Sequence, residues 1–378
     1  MNTRTIRLGI FSRRTAPSEG GADTLANTLR HEATALQSEL PIELVPVPWQ
    51  AWSQRRNPLR FVWVRVARRL GIEVPEVDLR PVCRRFELDL AYLAGPAFVR
   101  LDVPFIFTLW DLGHRTIPEF PEMRSARVPW TQREALCRQM LAQASYVVVG
   151  NEAGAAEVRE SFGLRAERVI PIPFPNPDFA DVEEAPVGWL PARDFFLYPA
   201  QLWPHKNHFT LLRALAFLAA QRRTVPDLVF VGSDQGNARY LKTAAKEMGV
   251  ADRVHFAGFV ARGELKTLYR RATGLVFPSL LGPNNLPPQE AAVLGCPPIV
   301  SDLAGHREQM GDGALYVAPL DAGGWADAMH LLLSGPAVRD RLRERARNAV
   351  EGYTIASYSQ RLGGLFARLA AQRLLWQR

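Results

Sequence analysis

Short apolar runs separated by amphipathic stretches recur from one end of the chain to the other. Ile6–Phe11 is β-branched and aromatic, and a helical pattern follows Gly20-Gly21 to about Leu36. Ile42–Val47, Leu88–Leu93, Phe105–Leu109 and Tyr146–Val149 continue the strand-like series. Runs this short and this continuously apolar predict parallel strands buried on both faces beneath covering helices.

The pattern breaks at Pro171–Pro177, where every second residue is proline. Such a stretch holds neither a central strand nor a helix interior. With the acidic Asp181–Glu184 and Pro186 it predicts an interdomain linker. The series resumes with a strand at Phe195–Pro199 and a helix from His208 to Ala220. Further strands follow at Leu228–Val231, Val254–Phe256, Gly274–Phe277 and Pro298–Val300. Two doubly wound βα halves are the simplest result, and no short-period repeat suggests a solenoid. The last segment, Ser357–Arg378, predicts an amphipathic helix with Leu362, Leu365, Phe366, Leu369 and Leu374 on one face.

Composition narrows the class. A chain of 378 residues, 47% hydrophobic, is long enough for two buried cores. A net charge of +8 favours phosphorylated ligands, anionic lipid or nucleic acid. No RRM-type or helix-turn-helix signature supports the last, so no nucleic-acid partner is expected. Cys83, Cys137 and Cys296 form no CxxC pair, which predicts buried thiols in a reducing compartment rather than disulfides or zinc. Met1–Arg13 lacks the apolar core of a signal peptide, and no apolar run nears the ~20 residues needed to span a bilayer. A cytoplasmic protein is expected, with peripheral attachment to the inner face of the plasma membrane open to it. Trp49–Leu70 sets six arginines among Trp49, Trp52, Phe61 and Trp63. It reads either as a surface for anionic membranes or as a core-facing helix with a solvated arginine face.

In doubly wound sheets ligands bind beyond the carboxyl ends of the strands, and three polar segments fall there. Tyr198–His208 ends a strand and places Lys206 just before a helix, where an ammonium can meet a phosphate; the same lysine also suits an ordinary solvated loop. Phe277–Ala292 ends a strand and runs through Gly, Pro and Asn into a helix carrying Glu290. That carboxylate reads as an acceptor for a sugar diol or as a first-turn dipole stabiliser. Ser301–Glu308 follows a third strand, with Ser301 or Asp302 placed to cap a helix.

These segments, in this order, resemble the retaining GT-B glycosyltransferases of family 4 (glycosyl transferases group 1). The likeness runs from about Phe195 to Val350. It is strongest through Val254–Val260, Leu265–Ala272, Pro278–Val300, Ser301–Glu308 and Gly313–Asp321; the amino-terminal half matches more loosely, at Gly20-Gly21-Ala22 and Thr108–Asp111. The resemblance implies two Rossmann-like α/β domains facing a central cleft: an acceptor-side domain over 1–185, a donor-binding domain over 186–355, and a helix over 356–378 crossing back to the first.

It also implies transfer of a mannose- or rhamnose-type sugar, with retention, from a nucleoside-diphosphate sugar to a glycan or lipid-linked acceptor in polysaccharide assembly. Lys206 would neutralise the diphosphate. Glu290 would hold the donor ribose, as the second Glu of the family's Glu-x7-Glu motif. Phe259 and Val260 would flank the base, and Gly20, Gly21, Gln201, Gly232, Asn284, Asn285 and Leu286 complete the expected donor site. Asp111 and His114 are acceptor-side catalytic candidates. No metal or other cofactor is expected, because no Asp-x-Asp sits at a strand end.

The sequence departs from the family in three places. Gly282 stands where the first Glu of the motif falls, Gln201 replaces an arginine, and Trp110 replaces the histidine before Asp111. These departures keep two other readings in play: a GT-B sugar-nucleotide epimerase or hydrolase, and a non-catalytic nucleotide-sugar-binding subunit.

Overall fold

The computed structural model describes residues 5–11, 42–45, 47, 77–95, 99–124, 130–373 and 375. The calls at Gly20, Gly21, Trp49–Leu70 and Leu374 lie outside them, as does the helix expected before Leu36. The chain divides into two compact units. The first draws on Met1–Leu112, Ala126–Pro175 and Thr354–Arg378, and the second on Gly113–Ser125 and Asn176–Tyr353.

Among the described residues of the first unit, six parallel strands form one sheet. They are β1 (Ile6–Phe11), β2 (Ile42–Val45), β4 (Leu90–Leu93), β6 (Phe105–Thr108), β7 (Tyr146–Val149) and β8 (Val169–Pro171), in the order β2-β1-β4-β6-β7-β8. Two short strands, β3 (Val77–Asp78) and β5 (Val99–Arg100), pair separately. Side chains alternate across the sheet. Phe11, Ala91, Leu93, Phe105, Phe107, Val147 and Val149 face one side, with Val82, Met140, Leu141 and Val158 from covering helices. Ile6, Leu8, Ile10, Leu90, Tyr92, Ile106 and Val148 face the other, beneath Tyr358, Leu362, Leu365, Phe366 and Leu369 of the helix Ile355–Arg373. The spacing of those five residues is that of a single helical stripe. Burying each large apolar side chain contributes roughly 1.5–3 kcal/mol.

The second unit repeats the plan. Its sheet comprises β9 (Phe195–Pro199), β10 (Asp227–Val231), β11 (Val254–Gly258), β12 (Gly274–Phe277), β13 (Pro298–Ser301) and β14 (Leu315–Val317). All six are parallel and run β11-β10-β9-β12-β13-β14. The four inner strands, β10, β9, β12 and β13, are almost wholly buried, which is why they read as unbroken apolar runs.

The units part after Pro175, earlier than the boundary expected at 185. Residues from Asn176 onward are bonded into the second unit. Asn176 gives its N–H to the Tyr353 carbonyl and its side-chain amide to that of Val350, both at 2.7 Å. Lys266 Nζ donates to the carbonyls of Phe179 (2.9 Å) and Val182 (2.7 Å), and Thr267 Oγ1 to that of Ala185 (2.8 Å). The presumed linker is thus a strap across the helix Arg262–Arg271.

Candidate active site

In the second sheet the strand order reverses between β9 and β12, so the loops leaving those two strands open side by side. This is the switch point at which doubly wound folds accept ligands. Both loops carry residues singled out from the sequence.

After β9 the chain turns through Pro204–Lys206. Several bonds fix that turn. Tyr198 OH, buried at the strand end, donates to the Lys206 carbonyl at 2.6 Å. Leu280 N–H donates to the His205 carbonyl at 2.9 Å. Asn207, at φ 59°, adopts a left-handed conformation that asparagine tolerates. Its amide nitrogen donates to the carbonyls of Pro278 (3.1 Å) and Pro319 (2.8 Å). Lys206 Nζ then lies 3.3 Å from Asn285 Oδ1 and 3.5 Å from Ser279 Oγ, and 5.3 Å from the centre of the Phe277 ring.

The loop after β12 is held by a second network. Asn285 Nδ2 donates to the Leu281 carbonyl (3.2 Å) and lies 2.9 Å from His306 Nε2, while His306 Nδ1 is 2.8 Å from the Ser301 carbonyl. Burial lowers the His306 pKa to about 4; the Lys206 charge adds to the effect and the Ser301 carbonyl opposes it. The ring is therefore neutral, with its proton on Nδ1 and a lone pair on Nε2 facing the Asn285 amide. Gln309 Nε2 donates to the Asn285 carbonyl at 2.7 Å. A Cβ on Gly282 would come within 2.4 Å of Asn285 Nδ2 and 2.6 Å of His306 Nε2. Glycine at 282 is therefore a condition of this network. Neither Ser301 nor Asp302 caps the helix Ala304–Met310; Asp302 pairs with Arg307 at 2.8 Å instead.

Leu286 opens the helix Leu286–Leu294, and Pro287 and Pro288 follow it. Proline suits a first turn but has no N–H. Of the four amides that open the helix, those of Asn285 to Pro288, only Asn285 and Leu286 have an N–H to donate. One turn in, half-buried Glu290 accepts from Tyr269 OH at 2.6 Å. Burial raises the pKa of its carboxyl, opposed by the Tyr269 bond and the Arg262 charge.

The other expected residues are placed as follows. Gln201 uses its side-chain carbonyl to accept from the Trp203 indole at 2.8 Å. Gly232 passes so close to the β9 loop that a Cβ would lie 2.3 Å from the Ala200 carbonyl oxygen. Phe259 is 68% exposed and Val260 is buried. Asn284 Nδ2 is buried without a hydrogen-bond partner among the described residues. Asp111 belongs to the first unit, 3.6 Å from Arg133. His114 is buried in the short helix Gly113–Thr116 of the second.

Sequence reasoning missed Glu122. Its Oε1 accepts the His205 N–H at 2.9 Å and sits 2.5 Å from His205 Nδ1, directly behind Lys206 in the chain. Burial pushes the Glu122 pKa up, but the two His205 bonds outweigh it and the net shift is downward. The segment Pro118–Arg124 carries no periodicity, so nothing in it pointed to a partner so distant in sequence.

No helix among the described residues is long and apolar enough to cross a membrane. Among those residues, no group of three or more His, Cys, Asp or Glu side chains could hold a metal ion.

Two parallel six-stranded sheets of this kind define the GT-B glycosyltransferase fold. The chain superposes on sucrose-phosphate synthase from Thermosynechococcus elongatus with a TM-score of 0.73 and 18% identity, over 97% of this chain and 100% of that one. Alr3699/HepE from Anabaena, solved with UDP and glucose, gives 0.66 and 17% over 96% and 100%.

Within that fold, residues 182–349 match the Glycosyl transferases group 1 family, and the chain carries a domain of that family. The O-antigen chain mannosyltransferase RfbU of Salmonella typhimurium is 30% identical over 174 residues, 46% of this chain and 47% of that protein. The chain spans about half the length of the curated relatives it matches.

Proposed function

We propose that this chain is a glycosyltransferase that moves a hexosyl or deoxyhexosyl unit of mannose or rhamnose type from a nucleoside-diphosphate sugar to a glycan or lipid-linked acceptor. The observation that carries the proposal is Lys206. Its ammonium is held at the switch point of the family-matched domain, between the loops leaving β9 and β12. The name of RfbU supports a mannosyl-type reaction in polysaccharide assembly. The UDP and glucose in the Anabaena neighbour support a nucleoside-diphosphate sugar as donor.

The chemistry follows from the charge. The bond from the anomeric carbon to the diphosphate oxygen breaks, and its electron pair stays on the diphosphate. The sugar becomes oxocarbenium-like while negative charge grows on the leaving group. Lys206 is assigned to meet that charge, aided by the Asn285 and Leu286 amides. Because Pro287 and Pro288 supply none, the lysine bears most of the load. Glu290, steadied by Tyr269, accepts from the ribose diol. The acceptor hydroxyl attacks the face the diphosphate leaves and gives its proton to a departing phosphate oxygen, so configuration is retained without a protein nucleophile. The positive charge is assigned to Lys206 and the amides rather than to a metal.

A thermal-shift screen with UDP-, GDP- and dTDP-sugars, followed by turnover with the stabilising donor, tests this reading. The expected result is one donor class that stabilises the protein and is transferred to glycan. Donor hydrolysis alone would assign an epimerase or hydrolase, and tight binding without turnover a non-catalytic subunit. Docking through Trp49–Leu70 belongs to the same proposal and rests on sequence alone. Vesicle co-sedimentation that is indifferent to anionic lipid would remove it.

A further inference from the structure

We propose that His306 is a positioning residue for Lys206, acting through the side-chain amide of Asn285. The geometry stands by itself; its catalytic meaning rests on the function proposed above. An asparagine amide placed between an ammonium and an imidazole can point either way unless both neighbours agree. Here they do. His306 Nδ1 lies 2.8 Å from the Ser301 carbonyl, so it carries the ring proton. Nε2 is then an acceptor, and at 2.9 Å only the NH2 end of Asn285 can face it. The opposite end, Oδ1, is turned to Lys206 Nζ at 3.3 Å. The Leu281 carbonyl, 3.2 Å from Nδ2, enforces the same orientation. Reversing the amide would set its oxygen against a lone pair and a carbonyl, and its NH2 against an ammonium.

Three further features keep the relay in register. His306 is fully buried, so its ring does not exchange partners with solvent. Gln309 Nε2 holds the Asn285 backbone carbonyl at 2.7 Å. Gly282 leaves the space between Asn285 and His306 that any side chain would fill. A lysine otherwise carries a freely rotating four-carbon stem. A fixed acceptor beside its ammonium supplies the preorganisation that charge stabilisation needs. Gly282, where the family's motif carries a carboxylate, thus leaves room for a neutral amide–imidazole pair acting on the lysine.

Two substitutions separate positioning from mere packing. In His306→Gln the side-chain carbonyl can accept from Asn285 Nδ2 as Nε2 does; in His306→Met, of similar volume, nothing accepts. We expect kcat/KM and the affinity for UDP, GDP or dTDP to fall about tenfold in His306→Met and to recover most of that loss in His306→Gln. In a Lys206→Ala background His306→Met should cost less than about twofold, because the relay then has nothing to position. Equal losses in both backgrounds, or a Gln variant as poor as Met, would overturn the proposal.

Gly282→Ala provides a second route if His306→Met fails to fold, since its methyl enters the relay from the loop and should cause the same loss. Crystal structures of the variants decide the geometry independently. Nζ should leave Asn285 in His306→Met and stay in His306→Gln; an unmoved Nζ in His306→Met sinks the inference. If no nucleoside diphosphate binds the unaltered protein, the functional reading fails, and the position of Nζ still decides the relay.

Discussion

In the second sheet the strand order turns between β9 and β12, giving β11-β10-β9-β12-β13-β14; in the first it turns between β1 and β4, giving β2-β1-β4-β6-β7-β8. The second is the dinucleotide-fold order, and among the described residues the first shares the reversal beside its opening strand. Each sheet also carries a polar network, and the two networks sit in different places. In the second unit Lys206, Ser279, Asn285 and His306 gather where the loops leave the switch-point strands. In the first, Tyr92 OH bonds Thr108 Oγ1 at 2.8 Å and Tyr358 OH at 2.9 Å, inside the core under the carboxyl-terminal helix. Burial pushes the Tyr92 hydroxyl up to about 12, so it stays protonated. One fold plan thus carries two kinds of network: one at the rim surrounds a lysine ammonium, and one in the core fastens a helix.

The largest effect should come from removing the charge at the rim. Lys206→Ala should lower kcat/KM for the nucleotide-sugar donor about 100- to 1,000-fold, the usual cost of losing one preorganised contact to developing charge. Its thermal midpoint should hardly move, because Tyr198 bonds the Lys206 backbone carbonyl, which survives the change. Retained kcat would remove the lysine from its assigned role and erase the contrast between the two networks.

Next comes acid. His306 and His208 are buried and neutral, with pKa values lowered to about 4 and about 3 from 6.5, chiefly by desolvation. Below pH 6.5 the unfolded chain binds protons at these rings and the folded chain does not, so stability is lost as pH falls from 6.5 toward 4. His306 alone should contribute about 2 kcal/mol of that loss between pH 6.5 and 5. Glu290 works in the opposite direction: its raised pKa favours the folded state as pH falls. Denaturant midpoints at pH 7 and 5 should therefore converge in His306→Gln relative to the unaltered protein. Parallel pH dependence in the two proteins would mean that the ring is not held neutral.

Glu290→Gln should weaken nucleotide binding by about tenfold, since hydrogen bonds to a charged acceptor contribute more than neutral ones. Tyr269 can still donate to the new amide, so the fold should be undisturbed. An unchanged Kd would demote Glu290 to a first-turn helix stabiliser.

Much of the sheets was legible because parallel strands covered on both faces must be apolar throughout, as in Leu228–Val231 and Gly274–Phe277. The loops of the site were legible for a related reason: proline, glycine and asparagine at strand ends mark turns, and a lysine among them stands out. What escaped was pairing at a distance. Glu122 and His205 sit in stretches with no periodicity, and nothing local joins them. His306 was visible as a polar residue after β13, but its tautomer depends on a carbonyl and its partner on a glycine that leaves room. The compact units part earlier than the boundary expected at 185 because Pro171–Pro177 and Asp181–Glu184 look like solvent-exposed linker, whereas Asn176 bonds Val350 and Tyr353 and Val182 accepts from Lys266.

The smallest effect expected tests the other side of the comparison. Tyr358 stands on the helix Ile355–Arg373, and its hydroxyl meets that of Tyr92. In Tyr358→Phe the ring and its packing remain, and Tyr92 keeps its bond to Thr108. The loss is one neutral hydrogen bond, about 1 kcal/mol, or a fall of about 2–4 °C in the melting of the first unit. Nucleotide affinity should be unchanged, since no residue of the rim network is touched. Tyr358→Ala would add a cavity and cost about 3–5 kcal/mol, so comparing the two isolates the hydroxyl from the packing. If Tyr358→Phe weakened nucleotide binding while leaving the melting temperature alone, the core network could not be a mere fastening, and the division of labour between the two sheets would have to be abandoned.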